Sequence, residues 1–292
     1  MGMNVAVIGT GVMGTGIGKT LLKNNYKVTS YNRTKENAQS LIDSGATFCT
    51  TVKEAIEDAD YVITMMWNKE ALDSVLLGDE GLFKNSKKDQ IFIDMSTQVP
   101  ETALYLEKGF KENGASFLDA PVHGSKGEAN SGGLWIMVGG DKDVYEKTLP
   151  LLNVLGESVH YMGPSGQGYA TKLCGNHLVS TIVAALGESM ALAKKANLDL
   201  NEVLKVWMNS DFRSPVVQGI GSSIINRDFE VAFHLRTMVK DTELIRNFSE
   251  SLNVPVLLSN IVHEINKVGQ NMGYGEENAS AVTKVFEQMA GL

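Results

Sequence analysis

Asn4-Val-Ala-Val-Ile-Gly9-Thr-Gly11-Val-Met-Gly14 decides how the chain is read, because an apolar β-branched run turns there through a GxGxxG into a helical pattern. In such a loop the first glycine permits the tight turn and the second lets a pyrophosphate approach the backbone. The third allows close helix–strand packing, with the phosphates on the helix N-terminus. Gly-rich turns of other α/β proteins also match the pattern. Here it follows an apolar strand and heads a second βα unit of the right length, which points to a dinucleotide. Gly9, Gly11, Val12, Met13 and Gly14 are the residues that would meet it.

Outward from this loop, short β-branched runs alternate with helical stretches. Strands are expected at Asn4–Gly9, Lys27–Asn32, Tyr61–Met66, Ile91–Met95 and Ser116–Asp119, with helices near Val12–Asn25, Lys35–Ser44, Val52–Asp58, Lys69–Leu77 and Pro100–Asn113. The alternation predicts a parallel, doubly wound sheet. Leu134–Gly139 and Ser158–Tyr161 read as further strands, with Val144–Leu155 helical between them. The cluster Met162-Gly-Pro-Ser-Gly-Gln-Gly168 then marks a boundary, beyond which strand patterns vanish. Asn201–Asn209, His234–Leu252, Val256–Gln270 and Ala279–Gly291 read as helices. The expected organisation is a nucleotide-binding domain over 1–164 and an all-α domain over 165–292.

The second domain begins with a long helix, about 167–196. Val179, Val183, Leu186 and Met190 recur at helical spacing, and Cys174, Leu178, Ile182 and Ala185 fill the adjacent stripe. Glu188 is the only charge between Lys172 and Lys194, so burial nearly all round is expected. A span of roughly 40 Å would let this helix cross from one domain to the other. Lys172 and Asn176, four apart, share one face near its Gly-rich start. A lysine there either snorkels to solvent or serves chemistry.

Composition narrows the function. The 26 basic and 34 acidic residues leave a net charge of −8 with no Lys/Arg run, which argues against a nucleic-acid partner. With 43% hydrophobic residues and 29 glycines, the 292-residue chain fits a soluble α/β protein of two domains. Asn176, His177, Ser180 and Thr181 interrupt the long helix, so it is not a membrane span. Cys49 and Cys174 have neither disulfide nor metal spacing and read as buried, reduced thiols. No signal-peptide pattern precedes the first strand, and the start at Met1-Gly2 lacks the Ser/Thr of a myristoylation signal. These features predict a cytoplasmic location, with no metal.

At the end of the second strand, where an NAD enzyme places an acid for the ribose, the chain has Asn32-Arg33-Thr34. A neutral residue, a guanidinium and a hydroxyl suit the 2′-phosphate of NADP, with NAD as a weaker cofactor. The bland alternative makes Arg33 a solvated surface residue and Asn32 a helix cap.

Four further motifs complete a pattern. Asp94-Met-Ser-Thr97 ends one strand, and Asp119-Ala-Pro-Val-His123-Gly124-Ser125 leaves another into a Gly-rich loop. Gly166-x-Gly168-x-x-x-Lys172-x-x-x-Asn176 heads the long helix, and Lys240-Asp241 lies in the all-α half. Together with the glycine loop these resemble the β-hydroxyacid dehydrogenase family over essentially the full length. The Asn-Arg-Thr and Gly-Ser-Lys details look closest to its NADPH-dependent glyoxylate/succinic semialdehyde reductase branch.

The resemblance implies a Rossmann domain followed by an all-α domain, and reduction of a small aldehyde or keto acid by hydride from the nicotinamide. Lys172 matches the family's catalytic lysine and would supply the proton to the developing alkoxide, or act as base in reverse. A mostly apolar site would lower its pKa towards the working pH. Asn176 would hold substrate polar groups and orient the lysine. Thr97 matches a position near both nicotinamide and substrate, and His123, Gly124 and Ser125 match the loop that meets the substrate carboxylate. Lys240 matches a cofactor contact from the second domain, and Phe233 and Asp241 fall where that domain closes a site lying between the domains. Met66 falls among the cofactor contacts, and Asn68, after Met65-Met66-Trp67, would skirt the cofactor. For Ser96 and Phe233, plain capping or packing is the competing reading. His123 stands where the family has serine. It either faces the substrate or only caps its loop, and the sequence does not decide whether a substrate carboxylate or Lys172 would dominate its pKa.

Rival readings are 3-hydroxyisobutyrate dehydrogenase or tartronate semialdehyde reductase on the same machinery, a cofactor-binding scaffold without turnover, and an imine reductase. Lys172 with Asn176 argues against the last two. Apolar stretches such as Val254-Pro-Val-Leu-Leu258 would be hard to bury in so small a domain, and a homodimer or homotetramer is expected.

Overall fold

The computed structural model describes residues 3–292; Met1 and Gly2, on which the myristoylation reading rests, lie outside the described residues. The chain divides into two compact units, one up to Lys172 and one from Leu173 to Leu292.

The first unit holds β1 (Asn4–Ile8), α1 (Val12–Lys23), β2 (Lys27–Tyr31), α2 (Gln39–Ile42), β3 (Thr47–Phe48), α3 (Val52–Ile56) and β4 (Tyr61–Thr64). It continues through α4 (Lys69–Leu76), α5 (Leu82–Asn85), β5 (Ile91–Asp94), α6 (Pro100–Lys111), β6 (Ser116–Asp119), β7 (Val122–His123), α7 (Lys126–Ser131), β8 (Leu134–Gly140), α8 (Lys142–Leu155) and β9 (Gly156–Gly163). The strand order is β3-β2-β1-β4-β5-β6-β8-β7, with β9 on β8. From β3 to β6 every pairing is parallel. Order reverses where β1 lies between β2 and β4, the place where open α/β sheets bind ligands.

Burial explains why these runs became central strands. Val5 and Val7 enter one apolar layer with Ile17 and Leu21 of α1, while Ala6 and Ile8 enter the opposite layer with Leu106 and Phe110 of α6. Alternate side chains of one strand thus meet helices on both faces, and that is what makes the runs continuously apolar.

The sheet departs from the expected all-parallel pattern at one edge. β8 runs antiparallel to β6 and β7, which keep a single register along it: Leu118 faces Gly140, Asp119 faces Gly139, Val122 faces Ile136 and His123 faces Trp135. Pro121 between them has no N–H to give, yet its carbonyl accepts from Met137 at 3.1 Å. The strand is therefore interrupted but not redirected, and the two-residue β7 gave no readable alternation. The 3₁₀ start of the helix at Lys35–Ala38 and the short α5 and α7 were equally unmarked.

The second unit follows α9 (Gln167–Lys195) with α10 (Leu200–Met208), α11 (Pro215–Asn226), α12 (Leu235–Ser251), α13 (Leu257–Gly269) and α14 (Val282–Met289). Val183, Ala184 and Ala191 pack with Leu235, Met238, Val262 and Phe286, while Leu186 and Met190 pack with Ile224. α11 was not foreseen, because Gly219 and Gly221 within it mask the helical period; a Cβ on Gly221 would meet Leu204 Cδ1 at 2.7 Å.

Two expectations about α9 are corrected. It is not buried all round: Cys174, Ala185, Leu178 (62% exposed) and Leu192 (71%) form an open stripe. Cys174 is consequently an exposed thiol and Cys49 is half-buried, so neither is the buried cysteine anticipated. Periodicity identifies apolar faces but does not say whether the same chain covers them. No described helix is long and apolar enough to cross a membrane.

Two glycines give a stability test. A Cβ on Gly14 would lie 1.9 Å from the Gly9 carbonyl oxygen, whereas one on Gly127 in α7 would meet nothing within 4 Å. Gly14→Ala is expected to lose about 1–3 kcal/mol or more through forced backbone shifts, and Gly127→Ala to gain about 0.5–1 kcal/mol from helix propensity. Urea unfolding of the two variants beside the parent chain checks both signs.

Candidate active site

The glycine loop has the geometry that its spacing implied. Gly9 sits at φ +95°, and a Cβ there would meet the Met65 carbonyl at 2.4 Å. Gly11, the N-cap of α1, carries no side-chain cap, and a Cβ on it would point into open space. The first N–H groups of α1 thus face an approach that a diphosphate could use. Asn32 does not cap the following helix, whose N-cap is Thr34. Its Oδ1 accepts from the Thr10 N–H at 3.1 Å and its Nδ2 donates to the Thr34 carbonyl at 2.8 Å, tying the loop to the end of β2. Arg33 and Thr34 beside it are exposed. Asn68 is the N-cap of α4, accepting from the Ala71 N–H at 3.0 Å.

Three neighbouring parallel strands end in register at Thr64, Asp94 and Asp119. Asp94 is buried; Thr64 Oγ1 and Ser96 Oγ donate to its Oδ1 at 2.5 and 2.7 Å, and the Tyr169 hydroxyl donates to its Oδ2. Ser96 in turn accepts the Met66 N–H at 2.8 Å, so Ser96 is a relay between strand ends. Burial pushes the Asp94 carboxyl above its ordinary range against these three donors. Thr97 follows, half-buried.

Asp119 receives the start of α9. Its Oδ1 accepts the Gly166 N–H at 2.8 Å and its Oδ2 the Tyr169 N–H at 2.9 Å. A Cβ on Gly168 would lie 2.5 Å from the Met137 carbonyl and 2.8 Å from Asp119 Oδ2, so the helix can approach this carboxylate only as glycine. Burial raises the Asp119 pKa to about 7, with the two backbone bonds opposing.

One turn further on, Lys172 is buried with Nζ 3.2 Å from His123 Nδ1 on β7. With the lysine donating, Nδ1 accepts and the ring proton sits on Nε2. Burial, and then the charge of Lys172, bring the His123 pKa down to about 4. His123 therefore points at the lysine and does not cap its loop. That task falls to Glu128, whose Oε2 accepts both the N–H and the hydroxyl of Ser125 at 2.7 Å. Gly124 lies exposed between them.

In the second unit, Asn176 Nδ2 donates to Asp241 Oδ2 at 2.7 Å, and Lys240 Nζ lies 2.8 Å from Asp241 Oδ1. Asn176 and Asp241 are both buried. The Phe233 N–H donates to Asn278 Oδ1 at 3.1 Å and its ring packs against the α9–α12 core. Lys172 and Asn176 stand one turn apart on α9.

Comparison with known proteins decides the family. Residues 4–163 match the NAD-binding domain of 6-phosphogluconate dehydrogenase, and residues 166–286 match the NAD-binding region of NADP-dependent 3-hydroxyisobutyrate dehydrogenase. The chain belongs to the β-hydroxyacid dehydrogenase family. Glyoxylate/succinic semialdehyde reductase 1 of Arabidopsis thaliana is 31% identical over 98% of this chain and 99% of its own. Mitochondrial 3-hydroxyisobutyrate dehydrogenase of Mus musculus is 32% identical over 97% of this chain and 87% of its own. A solved structure described as Psf3 in complex with NADP+ and 2-OPP superposes with a TM-score of 0.89 at 26% identity, covering 96% of this chain and 99% of that one. This family member is thus an NAD(P)-dependent oxidoreductase, a hydroxyacid dehydrogenase in the broad sense.

Sequence reasoning quoted Asp94 and Asp119 without giving them work and passed over Tyr169. The available signal was positional: both acids end adjacent parallel strands, and a carboxylate is costly there unless donors converge on it.

The raised Asp119 pKa has a measurable sign. Between about pH 4 and 7 the folded chain keeps this proton while the unfolded chain has released it, so its contribution is present at low pH and lost as pH rises towards 7. Asp119→Asn removes the titration. The parent chain should therefore gain stability relative to this variant on going from pH 7.5 to 5, by about 2.5 kcal/mol. Denaturant unfolding at both pH values measures the gap, and a pH-independent gap would mean Asp119 stays ionised throughout.

Proposed function

We propose that this protein is an NADPH-preferring reductase of small aldehyde or keto acids of the glyoxylate and succinic semialdehyde type, able to oxidise short β- or γ-hydroxyacids in reverse. One observation carries the reading: a buried lysine, Lys172, held 3.2 Å from His123 Nδ1 beside the C-terminal ends of the strands that follow the glycine loop. Bound NADPH supplies the hydride. Gly9, Gly11, Val12, Met13 and Gly14 form the cradle for its diphosphate, with Met66, Thr97 and Lys240 as further contacts. The open face of Gly11 supports that fit.

Lys172 Nζ delivers the proton to the oxygen that gains charge as the carbonyl is reduced, and recovers it in the oxidative direction. His123, accepting from Lys172, orients the amine; its neutral ring presents Nε2–H as a donor to the substrate carboxylate. Because the ring titrates near 4, its charge does not govern binding near neutral pH. The Ser125 hydroxyl and N–H are both engaged by Glu128, so Ser125 serves by fixing the shape of the loop, and Gly124 meets the substrate through its backbone. Asn176, oriented by Asp241, holds substrate polar groups, and Phe233 supplies an apolar wall.

Arg33, with Asn32 and Thr34, reads the 2′-phosphate. Asn32 is fixed by the Thr10 N–H and offers no carboxylate to a ribose, which supports NADP over NAD. The NADP+ held by the solved relative points the same way. Residues 1–164 then carry most of the cofactor contacts and the His123 loop, and 165–292 carry Lys172, Asn176, the Lys240 contact and the oligomer surface. The open stripe of Leu178, Ala185 and Leu192, with Leu257 and Ile261 exposed on α13, supports a homodimer or homotetramer. A cytoplasmic location suits two unpaired cysteines.

Lys172→Ala is expected to fold and bind NADPH while losing ~10²–10⁴-fold in turnover. NADPH consumption with glyoxylate and succinic semialdehyde in parallel reads this, and near-native rates would refute the lysine's role. Arg33→Ala should weaken NADPH about 10–100-fold, the loss of a charged contact of roughly 1.5–3 kcal/mol, and leave NADH nearly unchanged. Fluorescence titration with both cofactors separates that outcome from an equal loss, which would assign Arg33 another partner.

A further inference from the structure

Tyr169 is a residue that no motif flagged, and it is the largest fully buried side chain of the described residues. It sits three positions before Lys172, so the two share a side of α9. Its two polar groups bind two different acids. The backbone N–H donates to Asp119 Oδ2 at 2.9 Å and the phenol donates to Asp94 Oδ2. A helix that starts directly after Gly166 and carries Gly168 in its first turn has little intrinsic stiffness there. Without an anchor, Lys172 on the next turn would share in the fraying.

The anchor is well built. Asp94 also accepts from Thr64 and Ser96, at 2.5 and 2.7 Å, so the acceptor for the phenol is itself held by the ends of β4 and β5. Burial and the nearby Asp94 and Asp119 carboxylates keep the phenol far above its ordinary pKa, leaving it a donor at every working pH. The ring meanwhile packs in the same layer as Phe92, Phe110 and Phe117. Both the register of the helix and its rotation about its own axis are thereby referred to the sheet.

The geometry points to Tyr169 as a positioning residue for the reaction: its bond to Asp94 holds the first turn of α9 so that Lys172 Nζ stays at His123 and at the proton-transfer position. This rests on the assignment of Lys172 as proton donor. A shift of about 1 Å at a reacting group can cost on the order of 10²-fold in rate, so a side chain that never touches substrate can matter through placement alone.

The test is a double-mutant cycle on the full-length protein with NADPH and whichever of glyoxylate and succinic semialdehyde the parent reduces. Tyr169→Phe keeps the ring and removes one bond. It is expected to lower kcat about 10–100-fold in the native background with KM for NADPH within about twofold of the parent. When Lys172 is already alanine, Tyr169→Phe should lower kcat by less than about twofold, because a residue acting only through Lys172 has nothing left to place. An equal loss in both backgrounds would make Tyr169 a stability residue and overturn the inference, as would a native kcat for Tyr169→Phe alone. Native turnover in Lys172→Ala itself would instead overturn the proton-donor reading. Should Tyr169→Phe fail to fold, Asp94→Asn, which keeps the shape of the acceptor, is read in the same two backgrounds with the same expected outcomes.

Discussion

The two backbone N–H groups of Gly166 and Tyr169 end on one buried carboxylate, Asp119, and the placement of α9 rests on that contact. A helix start exposes N–H groups without partners, and an anion placed among them is stabilised by both hydrogen bonding and the helix dipole. Here the anion is costly to bury, which is why its pKa climbs to about 7. The cost is met by close approach: with no side chain at Gly139 or Gly168, strand β8 and helix α9 both come up against the carboxylate. Substituting either glycine would push apart elements whose separation fixes where Lys172 stands.

The same logic organises the strand ends. Parallel strands in register bring Thr64, Asp94 and Asp119 side by side, and the polar groups satisfy one another in place of water. Such a row is a poor stability device, since apolar residues of similar shape would avoid desolvation altogether. Its use is specificity of position. Met66 after β4, Ser96 after β5 and Tyr169 on α9 are all referred to one carboxylate, Asp94. The loops that leave the sheet at its ligand-binding end are thus held by a shared acceptor, not only by apolar packing.

The second unit has its own ionic tie. Glu287 on α14 accepts from Lys194 on α9 at 2.8 Å and from Arg227, after α11, at 2.8 and 2.9 Å. The two cations and their hydrogen bonds hold its carboxyl below the usual range despite burial. Asn176 and Asp241 make a comparable tie between α9 and α12 near the other end of that helix. α9 is therefore held by polar bonds at both ends of its run through this unit and by apolar contacts between them.

The sequence by itself determined the alternation of strands and helices, the glycine loop, the long helix and the Lys172–Asn176 pair. Each of these is written in local periodicity or in residue types that only one backbone geometry accepts. A GxGxxG after an apolar strand has few other solutions, and a residue four positions on always shares a helix face. What only the tertiary structure decided are relations between distant segments. That His123 turns to Lys172, that Asp94 and Asp119 share the start of α9, and that Tyr169 bridges them depend on strand order and register, to which local pattern is blind. The exposure of Cys174 and Leu178 belongs to the same class, because an apolar stripe looks alike in sequence whether its own chain covers it or not.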